Sequence, residues 1–302
     1  MNRLFIILAA LLAVVPSFAQ KDGEQNVPTF RTDVRLVSVY VTVTDASGAP
    51  ANDLSKSDFK VYEDGNPESI AVFDRESALP LSIVLQVDTS LSTRKDLKLE
   101  LASAREFVRT TIRPVDAVSL YQFSEVVDEL TPFTSDVKRL DRGISDVRLG
   151  GGTAMYDAIY LGSRALLDRK GRKVMVIITD GGDTVSKIDY REALRSAQEA
   201  EAIVYPIIVV PVVSDAGRDV GGEHALIQMA HDTGGKYFYA ENAKGLQQAF
   251  TKIRDELRTQ YLLGYYPSRK LSDSDFRRIE VQVQGEGLTA RYRTGYYTTK
   301  PR

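Results

Sequence analysis

The segment LSIVLQVDTSLS, residues 81–92, is a nearly continuous apolar run that ends in a carboxylate and a series of hydroxyls. Such a run is typical of a strand that is covered on both faces. Comparable runs follow it along the chain, at 117–123, 174–179, 203–210 and 236–239. Helical patterns lie between or after these runs, and strands that alternate with helices predict a mostly parallel sheet with helices on both faces. We therefore expect residues 80–259 to form a doubly wound α/β domain.

Shorter patterns of alternating apolar and polar residues flank this domain. The valines between Val37 and Val43 occupy every second position, which is the period of a half-buried strand. Phe59 to Glu63 and Ser69 to Phe73 are predicted to pair as a hairpin, and residues 260–302 favour three more strands. Because neither flank can bury a comfortable core alone, we expect residues 33–79 and 260–302 to pair into one β-sandwich-like module. The alternative is two independent appendages.

The N-terminal residues have the layout of a secretory signal peptide over residues 1–19. The apolar run from Leu4 to Val15 is shorter than the roughly 20 residues that a helix needs to cross a bilayer, and the small residue Ala19 suits cleavage. Residues 20–32 are polar without periodicity and indicate a flexible lead. We expect an exported protein, periplasmic or secreted, with no membrane span after cleavage; the alternative is an uncleaved anchor.

Charge and composition argue against several functional classes. The 302 residues carry a formal net charge of −2, so there is no basic excess for binding nucleic acid. There is no cysteine, which excludes disulfides, cysteine-ligated zinc and thiol nucleophiles. The run Gly150 to Thr153 lacks the Gly-Lys-Ser or Gly-Lys-Thr of a nucleotide-binding loop, and no Gly-x-Ser-x-Gly nucleophile elbow occurs. The sequence therefore does not favour an enzyme.

Polar side chains gather where the predicted strands end or the next helix begins. Asp88, Ser90 and Ser92 follow the first strand, Thr153 precedes a predicted helix, and Asp180 follows another strand. Ligands of doubly wound sheets bind beyond the carboxyl ends of the strands, so we expect these residues to meet there. Oxygen ligands without His or Cys favour a hard divalent cation, Mg²⁺, Mn²⁺ or Ca²⁺. The alternative is that the hydroxyls cap helices and the aspartates bind loop amides.

This Asp-x-Ser-x-Ser motif, followed by Thr153 and then Asp180, resembles the metal-ion-dependent adhesion site of von Willebrand factor type A domains. The resemblance covers residues 80–259. It implies Mg²⁺ as the first choice of cation, direct ligation by the first two loops, and ligation by Asp180 that is often through water. It also implies an open coordination position that accepts an acidic residue from a partner protein. Leu91 stands where many members of the family have Gly, which puts access to the cation in question.

The flanking segments carry a second, finer resemblance. Residues 58–65, 261–267 and 293–297 are similar to segments of the exported type A domain proteins that are common in acidobacteria. The function of that subfamily is poorly defined, so this resemblance implies export and domain organisation rather than a partner.

These features together predict a non-enzymatic, divalent-cation-dependent protein-binding protein. One alternative is a structural or assembly factor of the cell envelope in which the cation only stabilises the fold. Another is a metal-assisted hydrolase, for which Asp183 is the candidate general base. The sequence does not indicate whether the chain self-associates.

Overall fold

The computed structural model describes residues 36–75, 79–95, 97–210, 220–269 and 275–298. The predicted signal peptide and flexible lead lie outside these ranges. Within them, no helix is long and apolar enough to cross a membrane. All of the described residues belong to one compact unit.

The secondary structure follows three consecutive parts of the chain. The N-terminal flank contains β1 (Val37–Thr44), β2 (Phe59–Glu63), β3 (Asn66–Glu68) and β4 (Ile70–Arg75). The central part contains β5 (Leu81–Asp88), α1 (Leu97–Thr111), β6 (Ala117–Phe123), β7 (Val127–Thr134), α2 (Val137–Ser145), α3 (Met155–Leu167), β8 (Arg172–Thr179), α4 (Tyr190–Glu199), β9 (Ala202–Val209), α5 (Val220–Thr233), β10 (Phe238–Ala240) and α6 (Ala243–Thr259). The C-terminal flank contains β11 (Tyr261–Tyr265), β12 (Phe276–Val283), β13 (Thr289–Arg291) and β14 (Gly295–Tyr297).

The central sheet has the strand order β10-β9-β8-β5-β6-β7. Strands β5, β6, β8, β9 and β10 run parallel, and β7 is an antiparallel edge strand beside β6. The chain leaves β5 for β6 on one side and later returns to β8 on the other side. The strand order therefore reverses between β5 and β8, and this switch point is where doubly wound sheets open a ligand crevice.

Helices cover both faces of this sheet, which confirms the predicted α/β class. Helices α1, α2 and α6 pack on one face, where the rings of Phe107 and Phe250 stack with centroids 4.6 Å apart. Helices α3, α4 and α5 pack on the other face through buried residues such as Met155 and Leu226. Because β5 lies between the two layers, all eight of its residues are buried.

Two further antiparallel sheets form a sandwich with its own core. Their strand orders are β13-β1-β11-β4 and β14-β12-β2-β3, so each sheet combines two strands from each flank. Val39 pairs with Leu263 in one sheet and Val61 pairs with Val281 in the other. These four side chains point into the shared apolar core.

The predicted hairpin between Phe59–Glu63 and Ser69–Phe73 is wrong. Strand β2 instead pairs with the short strand β3, around a turn in which Asp64 and Gly65 have φ of 48° and 82°. Two consecutive positive φ values fit the two-residue turn that matches strand twist. Strand β4 lies in the opposite sheet beside β11. The sequence pattern located the turn correctly, but the strand that pairs with β2 after the turn is β3 and not β4.

Candidate metal centre

The residues proposed as metal ligands lie on three loops at one edge of the central sheet. Asp88 is the last residue of β5, and Asp180 directly follows β8. These two strands are neighbours at the switch point, where Val87 pairs with Ile178. Thr153 lies two residues before α3, on the loop that packs beside them. The fold therefore places the residues of the predicted set at the crevice of the sheet.

Asp88 is a buried carboxylate without a basic partner among the described residues. One of its oxygens accepts a hydrogen bond from the Thr179 hydroxyl at 2.7 Å, and the other accepts one from the Ser90 amide at 2.9 Å. Burial raises the pKa of Asp88 to about 6, against the lowering effect of these hydrogen bonds, and the nearby charge of Asp180 raises it further. Asp88 therefore lacks the positive charge that would stabilise its ionised form.

The first loop presents two hydroxyls next to this carboxylate. The Oγ atoms of Ser90 and Ser92 are 3.0 Å apart; Ser90 is buried and Ser92 is exposed. The Thr93 hydroxyl donates to the carbonyl oxygens of Asp88 and Ser90, at 3.1 and 3.0 Å, which holds the loop in a tight turn. The two serine hydroxyls are thus fixed on the same side as the Asp88 side chain.

The second loop, which precedes α3, is joined to the first loop by hydrogen bonds between backbone atoms. The Gly150 amide donates to the Thr89 carbonyl at 2.8 Å, and the Leu91 amide donates to the Gly151 carbonyl at 3.3 Å. A Cβ at Gly150 would lie 2.1 Å from the Ser124 Oγ atom, so only glycine permits this approach. Thr153, at the end of the loop, is buried, and its hydroxyl makes no hydrogen bond within the described chain.

The third loop, which follows β8, is joined to the second loop by hydrogen bonds. The amide of Thr153 donates to the Thr184 hydroxyl at 2.9 Å, and the Thr184 amide donates to the Thr153 carbonyl at 2.8 Å. Asp180 is partly exposed, and among the described residues it accepts only a long bond, 3.4 Å, from the Gly182 amide. Gly181, with φ of 94°, provides the left-handed turn that follows Asp180.

Two supporting residues lie just outside this set. Thr179 orients the Asp88 carboxylate and also accepts a bond from the Gly181 amide at 3.1 Å. Asp183 accepts bonds from the amides of Met155 and Tyr156, at 2.8 and 3.2 Å, and so caps the start of α3. Sequence reasoning named Asp183 only as a candidate base and did not single out Thr179. The adjacency of Thr179 to Asp180 at a strand end was the available signal.

This donor set fits a hard divalent cation. It offers carboxylates and hydroxyls only, and Mg²⁺ prefers oxygen ligands. A bound cation would supply the positive charge that Asp88 lacks, and would give the Thr153 oxygen a partner. The set includes only two carboxylates, and no cluster of three His, Cys, Asp or Glu side chains occurs in the described ranges.

Exposed apolar side chains stand on the same three loops. Leu91 is 56% exposed, and Leu149 and Val185 are also exposed. A Cβ at Gly152 would lie 3.1 Å from a Val185 methyl group, so Val185 covers the second loop. We call Leu91, Leu149 and Val185 the apolar rim of the site.

A doubly wound α/β domain with an oxygen-lined crevice at its switch point places the chain in a broad class of ligand-binding folds. Within that class, residues 82–252 match the family model of the von Willebrand factor type A domain. The match spans more than half of the chain, so the chain belongs to this family. No curated protein matches the chain.

Solved structures share the fold at low sequence identity. A von Willebrand factor type A protein from Catenulispora acidiphila has a TM-score of 0.52 and 11% identity, over 90% of this chain and 76% of that chain. The pilus adhesin SpaC from Lactobacillus rhamnosus GG has a TM-score of 0.51 and 10% identity, over 80% and 41%. Proximal thread matrix protein 1 from the mussel byssus has a TM-score of 0.50 and 18% identity, over 61% and 49%.

Proposed function

We propose that the protein is an exported, divalent-cation-dependent binding protein of the acidobacterial type A subfamily, acting in the periplasm or outside the cell. Asp88, Ser90, Ser92 and Thr153 would hold Mg²⁺, with Asp180 acting through water. Mn²⁺ and Ca²⁺ are the alternative cations, since both also take oxygen ligands. An acidic side chain of a partner protein would complete the coordination.

One observation carries this proposal: a buried carboxylate without a basic partner among the described residues lies at the switch point, beside a pair of serine hydroxyls that are hydrogen-bonded to each other. Leaving an ionised group buried and unpaired is unfavourable, and a resident cation removes that cost. The hydroxyls add neutral oxygens without adding charge. Two carboxylates and one Mg²⁺ give an electrically neutral site, which a third carboxylate from a partner can still enter.

We favour binding over catalysis because the candidate base is already engaged. The Asp183 carboxylate caps α3 and also accepts a bond from the Ser186 hydroxyl. All three donors share one oxygen of the Asp183 carboxylate, which is therefore engaged in holding the loop against the start of α3. A panel of ester and phosphoester substrates with Mg²⁺ present should therefore show no turnover above that of the metal alone.

The apolar rim indicates which kind of partner surface would fit the site. Leu91 and Val185 offer exposed apolar surface on either side of the second loop. A partner whose acidic residue is flanked by apolar residues would bury this surface while its carboxylate reaches the cation. A partner segment that contains only acidic residues could bind the cation, but it would not bury the apolar rim.

The metal site is tested by calorimetric titration of chelator-treated protein with Mg²⁺, Mn²⁺ and Ca²⁺. We expect the wild-type protein to bind Mg²⁺ and Asp88→Ala to lose binding. Asp146→Ala is the matched control, because it removes the same charge from an exposed position at the end of α2 that does not belong to the proposed ligand set. Folded wild-type protein that binds none of the three ions, or equal binding by Asp88→Ala, would contradict the proposal.

Partner recognition is tested by selecting displayed random peptides on the immobilised protein in Mg²⁺ and eluting with chelator. We expect enrichment of peptides with Asp or Glu beside apolar residues, and loss of their binding to Asp88→Ala. Equal selection in chelator would instead favour an envelope factor in which the cation is structural. Export is tested separately by determining the first residue of the mature protein. Cleavage after Ala19 would make that residue Gln20.

A further inference from the structure

A cavity of about 270 Å³ lies at the end of the central sheet opposite the candidate metal centre. Its walls include Leu81 and Arg172, the first residues of β5 and β8, and Thr111, the last residue of α1. Three more arginines complete a basic lining: Arg113, Arg254 and Arg258. We call this space the arginine cavity.

Two of the four arginines have no acidic partner. Arg113 forms an ion pair with Asp116 at 2.9 Å, and Arg254 forms one with Asp255 at 2.8 Å. Arg172 and Arg258 form no ion pair with any residue that the structure describes. The lining therefore carries two arginines without an acidic partner, of which Arg172 is buried and Arg258 is exposed.

Two polar atoms in the wall are buried and lack a hydrogen-bond partner. Arg172 is only 2% exposed; its Nη1 atom donates to the Leu257 carbonyl and, at 3.3 Å, to the Gln260 side chain, but its Nε atom bonds to nothing. The Thr111 hydroxyl is likewise buried without a partner. Buried polar groups in native proteins are nearly always bonded, so two such atoms on one cavity point to a missing acceptor.

A water molecule or the helix ends could supply hydrogen bonds here, but neither balances the charge. A neutral water leaves both guanidinium charges in place. The C-terminal ends of α1 and α6 meet near the cavity, and each contributes roughly −0.5 charge, about −1 together. That is about half of what Arg172 and Arg258 carry.

We propose that the arginine cavity binds a doubly charged oxyanion: a phosphate ion or the phosphate group of a larger molecule. Guanidinium groups bind phosphate oxygens through paired, charge-assisted hydrogen bonds. A phosphate group presents up to four oxygens to Arg172, Arg258 and the Thr111 hydroxyl, whereas a carboxylate presents only two. The anion would accept from Arg172 Nε and the Thr111 hydroxyl, and Arg258 would close over it from the exposed side. This site is independent of the metal and of the proposed function.

The test is calorimetric titration of the purified protein in chelator with inorganic phosphate and with glycerol 3-phosphate, at constant ionic strength in chloride. We expect phosphate to bind and Arg258→Gln to weaken it about tenfold or more, since one charge-assisted contact is lost. Arg191→Gln is the control: it removes the same charge from an exposed position on α4, on the other face of the sheet. It should bind as the wild type does.

Arg172→Gln should abolish phosphate binding, provided that far-UV circular dichroism shows the variant to be folded. If Arg172→Gln does not fold, Arg258→Gln alone tests the proposal. Tighter binding of glycerol 3-phosphate than of phosphate would assign the site to a phosphate monoester, and the reverse would assign it to the free ion. Failure of the wild-type protein to bind either compound would overturn the proposal. Equal affinities for wild type and Arg258→Gln would overturn it too.

Discussion

A buried ion pair in the sandwich should control the stability of the whole unit. Glu63, at the end of β2, and Arg277, on β12, are both at most 1% exposed and lie 2.5 Å apart. The hydroxyls of Tyr265 and Tyr296 each donate to the other Glu63 oxygen at 2.8 Å. These four residues join one strand of the N-terminal flank to three strands of the C-terminal flank.

Removing one partner leaves the other charge buried. We expect Arg277→Met and Glu63→Gln each to lower the free energy of unfolding by about 3–5 kcal/mol. The double variant loses both charges, while the amide oxygen that Glu63→Gln introduces still accepts from the two tyrosine hydroxyls. The loss in the double variant should therefore be smaller than the sum of the single losses by about 2 kcal/mol or more.

The assay is urea unfolding followed by the helical circular dichroism signal. All six α-helices of the described residues lie in the α/β domain, so the signal reports on that domain although the substitutions lie in the sandwich. A lower midpoint therefore requires that the two parts unfold together. Losses that add within about 0.5 kcal/mol would refute the coupling, and an unchanged helical midpoint would refute the joint unfolding.

Three predictions concern the candidate metal centre. Asp88→Asn should stabilise chelated protein at pH 7.5, because the pKa of about 6 makes ionisation of the buried carboxylate cost up to about 3 kcal/mol. The cost appears as pH rises from about 4 to 6, so thermal unfolding at pH 4 should show no gain, and a loss at both pH values would contradict the reasoning. Thr179→Val should weaken Mg²⁺ binding about tenfold or more in calorimetry, since it removes the hydroxyl that orients Asp88; an unchanged affinity would show that Thr179 has no such role. Leu91→Gly should leave Mg²⁺ affinity within about twofold but weaken selected acidic peptides about tenfold, since a buried leucine contributes roughly 1.5–3 kcal/mol; tighter peptide binding would show that Leu91 obstructs the cation.

The strands that are buried on both faces were predictable because their environment is uniform. The run that forms β5 is apolar almost throughout and then changes abruptly at Asp88, so both the strand and the crevice residue follow from composition. Strand β7 was not predicted. Half of its residues are polar, all but Thr131 are at least partly exposed, and it includes Pro132; its pairing with β6 defines it rather than a pattern of its own.

Interactions between residues that are far apart in the chain could not be predicted from the sequence. The cap that Asp183 forms on α3 depends on two loops that meet only in the folded chain. The arginine cavity combines residues from α1, β8 and α6 that follow no common spacing. A local motif can indicate which side chains suit a ligand, but an unpaired charge is visible only when every neighbour is placed. Candidate metal ligands near one strand end are therefore easier to predict than a candidate anion site whose arginines come from several elements.

The two candidate sites should act independently because they lie at opposite ends of the same strands. Strand β5 has eight residues, so at about 3.3 Å per residue its ends are roughly 25 Å apart. At that distance two unit charges interact by less than about 1 kcal/mol at an effective dielectric constant of about 20, so the Asp88 charge cannot neutralise Arg172. Each buried charge thus needs its own ligand. The increases in unfolding free energy caused by Mg²⁺ and by phosphate should then add within about 0.5 kcal/mol, and a larger discrepancy would mean that the sheet transmits a change from one end to the other.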